Sequence, residues 1–190
     1  MPPREEPDAG DAVSRREQIR AATLAVLAER GITGLTHRAV AAQAGVSVGL
    51  TTYYFKTREL LLAEVMEDAL RQSRADFDEW LSDVTLETLP TRLADLIAAR
   101  TGGRHSAVPA DLIVKNELYY AALWIEDLRP ISARWDQVIP TGLLRLVDAE
   151  TARLLAAAIS GLQTAAMMAD QPVDRADATR LFGLIVDARR

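Results

Sequence analysis

The side chains of this 190-residue sequence that could do chemistry together are hydroxyls and guanidinium groups gathered between residues 13 and 60. Thr36, Ser47 and Thr57 each stand just ahead of a stretch with helical character. A hydroxyl there caps the helix, and the free N–H groups of the first turn attract phosphate. Around them lie Arg15, Arg16, Arg20, Arg30, Arg38, Lys56 and Arg58 against Glu17, Glu29 and Glu59, a surplus of four positive charges in a chain of net charge −5. Residues 1–12 carry −3 and residues 61–190 carry −6. Phosphate binding is the chemistry such a confined basic segment supports, although a solvated surface with a chance imbalance would look the same. Other chemistries find no residues. Cysteine is absent, which removes disulfides, thiol catalysis and thiolate metal sites. His37 and His105 lie far apart, so no metal site is expected. Acid pairs such as Glu117 and Asp127 are no more than a helical surface supplies. With no Gly-rich phosphate loop and no catalytic constellation, neither an enzyme nor a cofactor is expected.

The elements that must position these groups are helical. Hydrophobic residues make up 49% and aromatics 5% of the chain, with Ala and Leu dominant. Residues 1–12, with three prolines and four acids, read as a disordered tail. A first helix is expected over about 13–30, with Ile19, Ala22, Val26 and Leu27 on one face and Gly31 as its C-cap. Helices over 37–44 and 48–54 follow, then a long one from Thr57 to about Asp83 with a stripe of Leu62, Val65, Met66, Leu70, Phe77 and Leu81. Further helices are expected at about 90–101, 110–127, 131–147, 150–169 and 174–188, nine or so in all. They are broken at Pro90, at the 102–109 loop, at Pro130 and at 170–172, and Pro140 should kink or split its segment. No stretch alternates as a strand would. The N-terminus has no apolar core of a secretory signal, and no run approaches the ~20 apolar residues of a membrane span. A cytoplasmic protein without membrane contact is expected.

Thr36 to Phe55 reads THRAVAAQAGVSVGLTTYYF. Two short helices joined by a Gly-containing turn form a helix-turn-helix. Ala41 and Ala44 let the third helix cross the second closely, and Val46 and Leu50 plug the core beneath. The outward face of the third helix would carry Ser47, Val48, Gly49, Thr51, Thr52 and Tyr53, short enough to let the backbone approach DNA.

From about Arg15 to Val65 the chain resembles the DNA-binding domain of the TetR family of bacterial regulators. The residues that carry this are Ile19, Ala22, Gly31, Thr36, Val40–Ala41, Ala44-Gly45-Val46-Ser47, Gly49, Tyr54-Phe55, Thr57-Arg58-Glu59 and Leu61–Leu62. The resemblance implies DNA contacts at Thr36, Arg38, Ser47, Val48, Gly49, Thr52, Tyr53 and Tyr54, and a backbone contact at Arg58, where a Lys is usual. Three departures stand out: Thr23 for an Ala, Thr51-Thr52 for Leu-Tyr, and Val48 for a long basic residue. Base reading would then lean on apolar contact with thymine methyls.

Residues 61–190 would form a ligand-sensing and dimerisation domain. Trp80, Tyr119, Tyr120, Trp124 and Trp135, with Lys115, Asn116 and Glu117, are the candidate pocket groups, since apolar walls with a few polar tips suit a small-molecule site. The aromatics would serve equally as core. The segment from Asp111 to Ile125 is apolar on nearly all faces and should be a buried central helix. The resemblance also implies a homodimer through a four-helix bundle, its seam expected at Leu155, Ala158, Ile159, Leu162, Ala165, Leu181, Phe182 and Ile185. The expectation is thus an all-α chain with a tail over 1–12, a three-helix helix-turn-helix DNA-binding domain over 13–60 and a helical ligand-binding and dimerisation domain over 61–190. It would be a repressor that binds a palindromic double-stranded operator as a dimer and is released by a small molecule. The rival reading is a helical small-molecule-binding or interaction protein without sequence-specific DNA reading, which Val48 and Thr52 keep open. Arg outnumbers Lys twenty to two, a composition of GC-rich bacteria.

Overall fold

The computed structural model describes residues 9–101, 110–169 and 171–188, and the regular elements among them are all helical. In chain order they are α1 (Ala9–Gly34), α2 (His37–Ala44), α3 (Val48–Tyr54), α4 (Arg58–Leu81), α5 (Leu89–Arg100) and α6 (Ala110–Ala121). A single 3-10 turn (Glu126–Leu128) leads into α7 (Arg129–Trp135), α8 (Val138–Leu143), α9 (Ala149–Ala169) and α10 (Arg175–Asp187). The expected 1–12 tail is partly replaced: α1 already runs from Ala9, and residues 1–8, like the expected 102–109 loop, lie outside the described residues.

Each boundary has a local cause. The α1 span breaks at Gly31, whose φ of 65° is the left-handed conformation only glycine adopts without penalty. Thr36, Ser47 and Thr57 cap as expected, accepting from the amides of Ala39 (3.0 Å), Leu50 (3.1 Å) and Leu60 (3.2 Å). Gly45, also left-handed at φ 66°, ends α2. Pro90, Pro130 and Pro140 each fall in the first turn of a helix, where a missing N–H breaks no helical bond. That is why the segment expected as one helix over 131–147 is two: the break comes at Asp136–Gln137, so that Pro140 lies in the first turn of α8. The expected 110–127 helix stops at Ala121 and continues as turns.

The chain forms two compact units, and they do not follow the expected boundary at residue 60. One unit comprises residues up to Ala69 together with Val114–Ile131; the other comprises Leu70–Ile113 and Ser132–Arg190. In the first, Ile19, Val26, Leu27, Leu35, Val40, Phe55, Leu61, Leu62 and Met66 are buried, as are Val114, Leu118 and Leu128 from the returning segment. Thr23, buried among them, donates its hydroxyl to the Ile19 carbonyl at 2.8 Å, so it costs no unpaired group. In the second, Phe77, Leu81, Leu89, Leu93, Ile97, Leu143, Leu155, Ile159 and Phe182 form one core, with α5 packed on α10.

Candidate nucleic-acid interface

The reader is held from three sides. Gln18 on α1 donates to the Ala44 carbonyl at 2.8 Å, tying α1 to the end of α2. Val46 donates to the Ala41 carbonyl at 3.0 Å, closing the turn. Arg16 reaches from α1 to Glu64 on α4 with two hydrogen bonds of 3.0 and 2.7 Å, and its guanidinium carbon lies 5.2 Å from the centre of the Phe55 ring. The carboxylate contact raises the Arg16 pKa further above the physiological range. Arg20 pairs likewise with Asp68.

On α3 the inward positions are Thr51 and Phe55, both buried, with Leu50 and Tyr54 half-buried. Thr51 therefore leaves the set of expected DNA contacts. Its hydroxyl turns back to the Val48 carbonyl at 2.8 Å, so the residue is buried without an unpaired polar group. The outward positions are Ser47, Val48 (44% exposed), Gly49, Thr52 and Tyr53 (71% exposed). The Thr52 hydroxyl lies 3.1 and 3.0 Å from the Val48 and Gly49 carbonyls of its own helix, either of which can accept its one rotatable proton. Tyr54 meets Tyr53 edge to face, with ring centres 5.3 Å apart. Thr36 and Arg38 are exposed at the start of α2. Arg58 is half-buried, its Nε 3.7 Å from Glu59. Lys56, absent from the expected contacts, is exposed on the turn between α3 and α4; its place in the basic surplus was the signal for it. The basic surplus is thus split: Arg16 and Arg20 are spent on α4 carboxylates, while Arg38 and Lys56 stay on the surface.

The expected pocket groups fall in both units. Trp80 and Trp135 belong to the second, where both are half-buried; Trp80 stacks on Phe77 at 5.3 Å, and the Arg92 guanidinium lies 6.0 Å from its ring centre. Trp80 packs against that core, so it fills space as much as it lines any site. Lys115, Asn116, Tyr119, Tyr120 and Trp124 belong to the first unit. The first three are half-buried and Tyr120 is exposed. Trp124, on the turn after α6, is 79% exposed, contrary to the buried segment expected up to Ile125. Glu117 faces the reader: it accepts from the Ile32 amide at 3.1 Å.

The residues expected at a dimer seam fall mostly on the chain's own core. Leu155, Ile159 and Phe182 are buried in the core of the second unit, and Ala158, Leu162 and Ile185 pack against it, so these six serve their own chain. Leu181 is half-buried and Ala165 exposed. The apolar surface left open on α9 is the neighbouring stripe of Leu154, Ala157, Gly161, Ala165 and Met168 (77% exposed), with Leu184 on α10. By length and composition α9 could cross a membrane, which the sequence reading did not anticipate. Its buried stripe of Ala152, Leu155 and Ile159 is committed to a protein core instead.

A capped three-helix reader with a short-residue outward face, in a chain whose regular elements among the described residues are all helical, has the architecture of a helix-turn-helix DNA-binding protein. Residues 19–65 match the family described as bacterial regulatory proteins of the tetR family. The chain is 29% identical over 185 residues to the HTH-type transcriptional regulator BetI of Cronobacter sakazakii (strain ATCC BAA-894), spanning 87% of this chain and 86% of that one. Among solved structures it is similar to SCO1917 of Streptomyces coelicolor A3, a TetR-family member (32% identity, TM-score 0.73, 90% of this chain and 97% of that chain). It is also similar to the multidrug binding protein EbrR in complex with ethidium (31% identity, TM-score 0.78, 90% and 97%). The chain belongs to the TetR family of DNA-binding transcriptional regulators.

Proposed function

We propose that this regulator is a homodimeric repressor. It reads a pseudo-palindromic operator with α3 and is released by a small apolar or aromatic effector. The observation that carries the reading is the outward face of α3: Ser47, Val48, Gly49, Thr52 and Tyr53 stand exposed while Thr51 and Phe55 are buried beneath. Such a face brings the backbone near DNA, with Arg38, Lys56 and the α2 and α3 N-termini placed for phosphates and Val48 for thymine methyls. Thr36, Tyr54 and Arg58 complete the proposed contact set. In a dimer, two such helices would enter successive major grooves about 34–36 Å apart. The open stripe Leu154–Met168 of α9, with Leu184, supports pairing of two chains, because an apolar helix face of this extent needs a cover. The effector would favour the state whose reader spacing no longer fits, and could shift the balance only by its differential affinity. The likeness to EbrR, bound to ethidium, makes flat aromatic cations the first class to test.

The test is binding to the DNA upstream of the regulator's own gene, measured by fluorescence anisotropy at several salt concentrations. Specific binding that falls steeply with salt, and that Tyr53→Ala and Arg38→Ala each weaken, is the expected result. Binding of equal strength to any sequence, unmoved by either substitution, would return the chain to the rival class of helical binding proteins. Ethidium binding is read separately on DNA-free protein by quenching of its tryptophans.

A further inference from the structure

We propose that Glu117 is a positioning residue for the reader: α6, through this one carboxylate, sets the corner between α1 and α2 and with it the affinity for operator DNA. The proposal rests on the repressor reading above. It begins with the backbone. Gly31 (φ 65°, ψ −178°) takes the chain out of the α1 helix, which leaves the amide of Ile32 without the carbonyl a continuous helix would offer. That amide is partly buried, so it needs a partner. The partner is Glu117 Oε1, 3.1 Å away and 85 residues along the chain. Gly31 serves the contact a second time. A Cβ at this position would lie 2.8 Å from the same oxygen, so glycine, which the turn requires, also lets the carboxylate approach without having to shift.

The position of this contact gives it leverage. The corner runs from Gly31 through the fully buried Leu35 to Thr36, the cap of α2 and the first proposed phosphate contact. Glu117 is flanked on α6 by Val114 and Leu118, both buried in the same unit, so its own backbone is anchored. It is flanked in sequence by Lys115, Asn116, Tyr119 and Tyr120, the groups the sequence nominates for an effector. A turn or slide of α6 at those residues would withdraw the acceptor from Ile32 and free the α2 cap, with no change required in α3. The same stretch of helix would thus sense and signal.

The experiment uses the full chain and an operator selected by the wild-type protein from random duplex DNA. In Glu117→Ala, specific affinity should fall about tenfold, as expected for loss of a hydrogen bond to a charged acceptor. Affinity for unrelated DNA should change far less, since the exposed cations that supply it keep their charge whether or not α2 is held in place. Glu117→Gln keeps a carbonyl oxygen and should stay within about threefold of wild type. Amide exchange at Ile32 in DNA-free protein should quicken about tenfold in Glu117→Ala and little in Glu117→Gln. If Glu117→Ala does not fold, Glu117→Asp, shorter by one methylene, takes its place. A purely structural role would lower the melting temperature and leave the ratio of specific to non-specific affinity unmoved; that result, or unchanged exchange at Ile32, overturns the proposal. A wild-type protein that selects no sequence overturns the repressor reading instead, and exchange at Ile32 then decides alone whether α6 holds the corner.

Discussion

Arg16 lies within the basic segment, yet its geometry assigns it to stability rather than to DNA. Replacing it with Ala removes a bidentate pair with Glu64 (3.0 and 2.7 Å) and a cation 5.2 Å from the Phe55 ring centre. The side chains of the pair are 51% and 27% exposed, so water screens it and it contributes about 0.5–1 kcal/mol. The ring contact, at a half-exposed site, adds about 0.5–1 kcal/mol. Arg16→Ala should therefore destabilise by about 1–2 kcal/mol, and Glu64→Ala by about half of that. A double-mutant cycle, from urea unfolding followed by circular dichroism at one fixed protein concentration, should return a coupling of about 0.5–1 kcal/mol. The remainder of the Arg16 effect belongs to Phe55. The DNA side of the argument runs opposite. Because Glu64 already balances Arg16, Arg16→Ala should leave the slope of log affinity against log salt nearly unchanged, whereas Arg38→Ala should reduce it by about one unit. A coupling near zero, or equal losses of slope for the two arginines, would refute the assignment.

Three further outcomes follow from other residues. Asp95 is held below its ordinary value of 3.8 chiefly by its hydrogen bond to Arg175, which also links α5 to α10 at 3.0 Å. A depressed carboxylate stabilises the fold above its unfolded pKa and loses that contribution as pH falls through the folded value. The melting temperatures of wild type and Asp95→Asn should thus differ above about pH 4 and converge below it; a difference that persists at low pH would show that the pair is not its source. On α9, Met168→Glu together with Leu154→Glu should convert a dimer to a monomer in analytical ultracentrifugation with little loss of helix, while Leu155→Ala should destabilise the fold by about 2–5 kcal/mol. A dimer that survives both charges would place the seam elsewhere.

These two α9 faces show what the sequence could and could not reveal. The helix itself was legible, since its apolar period is unbroken from Leu154 to Met168. Which apolar stripe the chain's own core takes was not, because two stripes of similar character run along the helix and only the packing of the other helices selects the one through Leu155 and Ile159. The reader was legible for a different reason. Its caps, its left-handed glycines and its buried Phe55 are all local, and they stand where residue chemistry puts them. Thr51 was misread because polarity suggested solvent, while its hydroxyl is satisfied by its own helix. The ion pairs of Arg16 and Arg20, and the contact of Glu117 with Ile32, join residues far apart in the chain, and no local pattern announces them. Trp124 was placed inside because the segment from Asp111 to Ile125 is apolar on nearly all faces; the end of α6 at Ala121 puts it on a turn at the surface.

The returning segment Val114–Ile131 has a consequence for how the reader is made and moved. Its core includes Val114, Leu118 and Leu128, which the ribosome delivers only after α5 has been synthesised. A fragment ending near Ala69 would therefore emerge with part of its apolar interior uncovered, open to aggregation until the later residues arrive. Transplanting the reader onto another sensor is subject to the same condition. Residues up to Ala69 and Val114–Ile131 would have to travel as a matched pair, and a splice made at the apparent boundary after α3 would cut through one compact unit and its shared core.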